Sequence, residues 1–446
     1  MSTFRSLVQV LAVRAVGLGL ASLAGLTITW FILREFGVQA YAFYALLVAI
    51  PSILVFGDLG TGASLVNTIA ASPDPQRDVR VGRHLLSTLR ITFGFAAVLS
   101  LVAGGLYFLG LWPVLLGTGE TLSGAGAVAC IAAFLFAMSL PLSLGQRLFL
   151  GLQKSHLGVI LQSLQLPLTL LLILAQIYVL RLRSGQIAPI SFFASLVIVG
   201  GMSLLWARRY LNAPITWAFR NLFSRRIRGA RVMDLGLPML AQTMLVPVAV
   251  QSDRIILAHL STTQELALYA LAAQVFAGVQ SLIAAAGLSL WPVFTRQQSR
   301  GEAARPGVYV LAFVGIAAAM CSVILLLQEP LFRLLSDGKL EMRWSVLLAF
   351  TFAACVQAAL YPIGMSMMDL RSVRFQVLPI LASVTANIAL SVLWAGRLGA
   401  TGPVLATAVA TLVFQLIPFA LYARRRRSRP VGVPLRNPSL PAEEVT

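Results

Sequence analysis

The feature that most constrains this chain is a succession of apolar runs, each long enough to cross a lipid bilayer, separated by short breaks that carry arginine. A helix rises ~1.5 Å per residue, so about 20 apolar residues cross the hydrocarbon core. Spans are expected at 9–33, 41–70, 85–111, 124–145, 157–180, 187–207, 234–256, 266–292, 308–328, 345–366, 376–396 and 401–423. The second and eighth are long for one crossing, so each is expected to be shorter or broken. The fold class is an all-α polytopic membrane protein of about 12 transmembrane helices.

Composition excludes the soluble alternatives. Hydrophobic residues make up 58% of the chain and charged residues 11%, against roughly 25% charged in an ordinary soluble domain. A net charge of +19 would suit a nucleic-acid partner, but the basic residues come in short bursts between apolar runs. Such bursts orient a membrane protein; they do not track a phosphate backbone. Arginine dominates, with Lys154 and Lys339 the only lysines, and this is read as genomic base composition without mechanism. Cys130, Cys321 and Cys355 lie in apolar runs and read as small buried hydrophobes. His84, His156 and His259 share no metal-ligand spacing, so no metal and no resident cofactor are expected. Arg5 precedes a long apolar run with no small-residue cleavage site, which reads as a first helix that also targets the chain.

The basic residues also set the orientation. With the N-terminus in the cytoplasm, inward segments hold about three basic residues for each one in outward segments. That bias supports an even number of spans, with both termini on the cytoplasmic side of an inner membrane. The outward loops are short, and none is long enough for a folded extracytoplasmic domain.

Four regions follow: a six-helix lobe over 1–207, a basic connection over 208–232, a second six-helix lobe over 233–423, and a disordered cytoplasmic tail over 424–446. The connection holds Ile215, Phe219, Leu222, Phe223 and Ile227 near one helical face, with Trp217 at its start and arginines over much of the rest. Arg226 falls on the apolar side. The segment reads as a helix lying on the anionic inner leaflet, the alternative being a plain charged linker. The tail opens with Arg424 to Arg427 and runs on through Pro430, Pro434, Pro438 and Pro441.

The two lobes carry a repeat. Tyr41-Ala42-Phe43-Tyr44-Ala45-Leu46 matches Leu266-Ala267-Leu268-Tyr269-Ala270-Leu271 at an offset of 225 residues, Tyr44 to Tyr269. The same offset carries the first span onto the seventh. Six helices per repeat return the chain to the same side, so the expected plan is two parallel six-helix repeats around a central cleft.

Ionisable groups inside spans are costly and are functional candidates by default. Asp58 lies in Phe56-Gly57-Asp58-Leu59-Gly60-Thr61-Gly62, two turns after Pro51, where the glycines loosen the helix. It reads as a cation or proton carrier, or else as a cap or a partner for an arginine. Gln251, Ser252, Asp253 and Arg254 end the seventh span, which Pro238 and Pro247 can kink. Asp253 and Arg254 point about 100° apart along a helix and need not pair; one can face the cleft while the other anchors at the outer interface. Arg14 and Arg90 lie one to two turns inside the inner face of spans one and three. Their planar donor forks suit a diphosphate at the inner mouth of a cleft, and the competing reading is snorkelling to lipid headgroups. Gln146 and Arg147 lie near the inner end of the fourth span, and the uncharged Gln242, Gln274, Gln280, Gln357 and Asn387 either line a path for sugar hydroxyls or serve as interhelical glue. There is no phosphate-binding Gly-rich loop with Lys, no Ser/His/Asp set and no zinc motif.

The stretch Asp253-Arg254-Ile255-Ile256-Leu257-Ala258-His259-Leu260, followed by Leu266 to Ala272, resembles a local pattern of the bacterial oligosaccharide flippases. These form the polysaccharide-transport branch of the multidrug/oligosaccharidyl-lipid/polysaccharide exporter superfamily. Phe36-Gly37 through Tyr44 and Gly57-Asp58-Leu59-Gly60 resemble that family's early helices. The chain departs from the family where Ala267-Leu268 replace the glycine usual before its tyrosine, and where a lysine near Asp-Arg is absent. The resemblance implies a non-enzymatic flippase that moves an isoprenoid-diphosphate-linked oligosaccharide from the inner to the outer leaflet. Its partners would be that lipid-linked oligosaccharide, membrane lipids and a glycan polymerase or other assembly proteins, with no nucleic acid. On this reading Arg14, Arg90, Arg254 and Gln251 are the substrate-binding candidates. Asp58 and Asp253 are the candidates for coupling to a proton or sodium gradient. The alternatives are a multidrug/cation antiporter on the same plan, a membrane-embedded glycan polymerase or ligase, for which the outward loops are short, and a non-transporting scaffold.

Overall fold

The computed structural model describes residues 2–53, 61–117, 124–152, 154–179, 181, 184–224, 226–227, 229–230, 251–299, 306–367 and 370–427. The described residues form helices and no strand, and ten helices among them are long and apolar enough to cross a membrane. The expected seventh span falls largely on 231–250, outside the described residues, and the middle of the second falls on 54–60. The tail expected to be disordered lies outside them from residue 428 onward.

Helix α1 (Ser2–Ile53) is two helices run together across Gly37, whose φ of 84° and ψ of −177° are not helical. Only glycine adopts that conformation without strain. The break falls between the two spans expected at 9–33 and 41–70. Then come α2 (Thr61–Ala71), α3 (Val79–Phe108), the short α4 (Trp112–Leu116), α5 (Ala125–Leu142), α6 (Leu144–Gly151), α7 (Ser155–Ser163) and α8 (Gln165–Tyr178). Helix α9 (Ile187–Arg220) outruns the expected sixth span and bends at Leu211, three residues before Pro214. The second half holds α10 (251–260), α11 (Thr263–Ser299), α12 (Pro306–Leu326), α13 (Gln328–Ser336), α14 (Trp344–Met365) and α15 (Leu370–Leu398). Helix α16 (Thr401–Ala410) passes through a π-helical stretch, Thr411–Leu416, into α17 (Ile417–Arg427). The eighth span, expected to be shorter or broken, is one continuous helix.

The turns sort to two ends, as alternating spans require. At one end Lys339 meets Arg34, Glu265 pairs with Arg343 and accepts the Ala400 N–H at 2.7 Å, and Gly185 packs on Phe36 and Ala40. At the other, Gly151 packs on Ile69, Ser87 donates to the Ala230 carbonyl at 2.8 Å, and the Lys154 ammonium sits 3.5 Å from the centre of the Tyr210 ring. Arg77, Arg80, Arg208, Arg209, Arg220 and Arg424 to Arg427 follow the second set, making it the arginine-rich end.

The apolar core divides unevenly between these ends. One cluster runs from Ile28, Phe31, Tyr41 and Tyr44 through Phe136 and Phe193 to Leu257, Tyr269, Phe276 and Leu347, so it belongs to both halves. Toward the arginine-rich end the core splits. Leu65, Leu85, Leu148, Phe149 and Leu204 form a cluster in the first half alone. Leu360, Ile363, Met367 and Phe419 form another in the second half alone. Among the described helices the halves meet chiefly through α1 against α11 and α13. Among the described residues they therefore share a core at one end and have separate clusters at the other. Leu101, Phe108, Leu171, Leu311 and Leu326 stand exposed on the outside of the bundle, which is where lipid lies for a membrane protein.

The connection after the sixth span packs part of its length on the first half. It is helical to Arg220, but Leu211, Ile215, Ala218 and Leu222 are buried in the first-half cluster. These four side chains therefore cover protein, while Phe219 and Phe223 stand exposed at 37% and 90%.

Candidate functional site

Asp253 is the buried acid of the described bundle, at 1% exposure. Three hydroxyls reach its carboxylate from three other helices: Ser391 Oγ of α15 at 3.0 Å, Thr407 Oγ1 of α16 at 3.1 Å and Tyr269 OH of α11 at 3.4 Å. Asn387, one turn before Ser391, donates from Nδ2 to Thr407 Oγ1 at 3.1 Å and offers Oδ1 to Ser391 Oγ at 2.9 Å. A carboxylate taken out of water costs several kcal/mol unless polar groups replace the lost hydration. Here oxygen-bearing side chains from three other helices do so, all within the second half. Arg254, the next residue, points elsewhere. Its Nη1 donates to the Ala45 carbonyl of the first half at 3.0 Å. The adjacent pair thus divides, the acid inward and the base across to the other half. Gln251, one turn before Arg254, is half-buried.

A second contact across the halves mirrors Arg254 to Ala45. Subtracting the 225-residue offset from Arg254 gives Thr29, and Thr29 hydrogen-bonds through Oγ1 to the Gln274 side chain. One contact runs from the seventh span to the second and the other from the first to the eighth, the relation expected of a two-fold repeat.

Arg90, expected either to capture a diphosphate or to snorkel to headgroups, bonds to backbone carbonyls. Its Nε donates to the Leu222 carbonyl at 2.9 Å, Nη1 to Ile227 at 2.9 Å and Nη2 to Asn221 at 3.0 Å, with a further bond from Nη2 to Ser224. The guanidinium fork ties the connection after α9 onto α3, and in this conformation those donors are not free for a phosphate. Arg14 lies in α1, with its side chain outside the described residues. Asp58 and Gln242 lie outside them altogether. The structure thus brings Asp253, Arg254 and Gln251 together on α10 and places Arg90 apart, at the arginine-rich end.

Several residues with no site role expected from the sequence take part. Ser391, Thr407 and Tyr269 complete the Asp253 cluster, and no signal marks a serine or threonine in an apolar run as the partner of an acid 138 residues away. Lys339, one of two lysines, donates from Nζ to the Leu33 and Arg34 carbonyls at 2.6 Å each. It caps the helix that stops at Gly37, where the last carbonyls lack helical partners and a cation is favoured. Among the described residues no three His, Cys, Asp or Glu side chains gather in a metal cluster.

A family model described as "Polysaccharide biosynthesis protein" matches residues 8–298. No curated protein matches the chain. Among solved structures, the lipid II flippase MurJ in an inward closed conformation aligns with a TM-score of 0.67 at 12% identity, over 92% of this chain and 87% of that one. A multidrug resistance MATE family transporter of the MOP superfamily in an inward-facing conformation aligns with a TM-score of 0.66 at 14% identity, over 91% and 94%. An outward-facing MATE family transporter aligns with a TM-score of 0.53 at 13% identity, over 94% of each chain. At these identities the likeness is one of fold.

Proposed function

The chain belongs to the polysaccharide biosynthesis protein family, and from that premise we propose that it is a flippase. It moves an isoprenoid-diphosphate-linked glycan from the inner to the outer leaflet of a bacterial cytoplasmic membrane. The observation that carries the reading is the uneven core. Among the described residues one apolar cluster is shared by the halves at one end, while each half has a cluster of its own at the arginine-rich end. A transporter that exposes its cleft to one side at a time has this arrangement in one of its two states. By the positive-inside rule the arginine-rich end is cytoplasmic, so the state is open inward.

In this reading the diphosphate enters at the arginine-rich end, the sugars pass between the halves and the lipid tail stays in the bilayer. Arg14, with Arg254 and Gln251 deeper in, holds the anionic headgroup. Arg90 fixes the connection whose carbonyls it binds. The oxygens around Asp253 suit either a proton or a sodium ion, so this cluster couples the cycle to an ion gradient, with Asp58 the second candidate. No redox or covalent chemistry is called for.

A second reading has its own support, because the inward-facing MATE transporter fits as well as the lipid II flippase does. A multidrug or cation antiporter on this plan would export soluble compounds. The test is flipping in proteoliposomes holding the purified protein, scored by access of an added glycan-cleaving enzyme to lipid-linked glycan sealed in the inner leaflet. Glycan that becomes cleavable only with protein present supports the flippase. Glycans that stay protected under imposed proton and sodium gradients, with drug efflux from the same vesicles, would put the antiporter first.

A further inference from the structure

The sealed end is closed by backbone carbonyls of the first half and basic side chains of the second. His259, at the end of α10, has both ring nitrogens against such carbonyls. Nδ1 lies 2.8 Å from the Ile255 carbonyl oxygen, one turn back, and Nε2 lies 2.8 Å from the Val114 carbonyl oxygen of α4 in the first half. A carbonyl oxygen only accepts. A neutral imidazole has one N–H, so it serves one carbonyl and turns a lone pair on the other. Only the imidazolium donates to both. Val114 belongs to the five-residue helix α4, whose described part ends at Gly117.

We propose that His259 is a proton-dependent latch between the halves, holding the end opposite the arginines shut while its imidazole is protonated. The approach it bridges is close. Gly117 follows α4 with a φ of 55°, and a Cβ there would stand 2.5 Å from the Ala258 carbonyl oxygen. Lys339 closes the same end on the Leu33 and Arg34 carbonyls through its Nζ. The described part of α4 and Gly117 carries no titratable side chain, and Glu120 lies outside the described residues. On α10 itself, Asp253 faces the hydroxyl cluster and Arg254 faces Ala45. Glu265, at the start of α11, is held by Arg343 and the Ala400 N–H, and Arg397 lies at the end of α15, next to the Gly396 that packs on Leu260. His259 is exposed at this end, so the proton it takes up is that of the medium outside the bundle. The proposal does not depend on the cargo; it requires only that the halves part here during the cycle.

The sign follows from the donor count. Protonation favours the closed end, and deprotonation favours opening. The test uses the full chain in lipid nanodiscs, with Cys130, Cys321 and Cys355 replaced by alanine and spin labels on Leu115→Cys and Leu260→Cys. Both labelled positions are exposed, at 48% and 44%. Distance distributions are measured at pH 5.5 and pH 8.5. The ratio of the short, closed population to the long one should fall roughly three- to ten-fold at the higher pH, the size expected for one charge-assisted hydrogen bond at an exposed site. In His259→Gln the ratio should not change with pH, while in Lys339→Met it should be lower at both pH values with the pH step intact. A wild-type distribution that does not move, a step that survives in His259→Gln, or a step lost in Lys339→Met would overturn the proposal. The wild-type measurement decides without any substitution at the latch.

Discussion

At the scale of single residues, the chemistry turns on what a carboxylate is given in place of water. Asp253 accepts from Ser391, Thr407 and Tyr269. Asp253→Asn keeps an acceptor and nearly the same shape but cannot carry a proton or a formal charge. It should fold, retain exchange of substrate across vesicles at equilibrium, and lose the dependence of transport on an imposed ion gradient. Gradient-driven transport that survives in Asp253→Asn would move the coupling role to Asp58. Asp253→Ala leaves buried hydroxyls without their acceptor and should cost about 1–3 kcal/mol in a thermal or denaturant melt. Asp78 is a contrasting acid at the water boundary. It caps α3, accepting from the Arg80 N–H at 2.8 Å, and it pairs with the Arg80 side chain at 3.0 Å. Arg80 above all, with the Arg80 backbone N–H and Ser72 Oγ, lowers its pKa from 3.8 to about 2. A lowered carboxylate pKa stabilises the fold above the unfolded value and loses that contribution as pH falls through the folded one. The difference in melting temperature between wild type and Asp78→Asn should therefore be constant from pH 7 down to about 4 and shrink below it. A difference that is unchanged at pH 3 would mean that the cap, not the charge, is what is measured.

At the scale of elements, the connection between the halves is where reading and structure part most instructively. Of the apolar positions Ile215, Phe219, Leu222 and Phe223, the first two lie on α9 and the last two in the turn after Arg220, and periodicity says only that one face is apolar, not whether lipid or protein covers it. The inner end of the first half covers it here, and Arg90 stitches the segment down through four carbonyls. Arg90→Ala should cost about 2 kcal/mol and raise amide hydrogen exchange across 221–230. Arg90→Lys should rescue little, because an ammonium cannot span the carbonyls that a planar fork reaches. Rescue by lysine would mean that charge alone holds the segment, as the snorkelling reading has it. The same limit explains the rest of the site. An acid inside an apolar run is visible in one sequence because its cost is visible, which is why Asp253 stood out. Its partners Ser391 and Thr407 cost little in a membrane helix and look like any others. The break at Gly37 was legible as a boundary between two apolar runs, but that Lys339, some 300 residues on, would cap the helix ending there was not.

At the scale of the whole molecule, the repeat, the charge bias and the divided core bear on one another. The 225-residue offset places Thr29 and Arg254 at equivalent positions, and each sends a hydrogen bond into the opposite half. The seam is thus made twice, and both copies lie within the cluster that belongs to both halves. A seam built of a few polar bonds and apolar packing at one end can be exchanged for another at the far end without unfolding either half, because each half keeps a cluster of its own there. The direction of that exchange depends on which end faces the cytoplasm, and the arginines make this a sharp expectation. A fluorescent protein fused after Arg427 should fold and fluoresce, while alkaline phosphatase at the same point should be inactive. At Gly338, in the turn after α13 at the sealed end, the two reporters should behave in the opposite way. The reverse pattern would keep the fold and its repeat but turn the molecule over. The cleft would then open away from the side on which the lipid-linked substrate is made, and the structure would stand for the releasing state of the cycle.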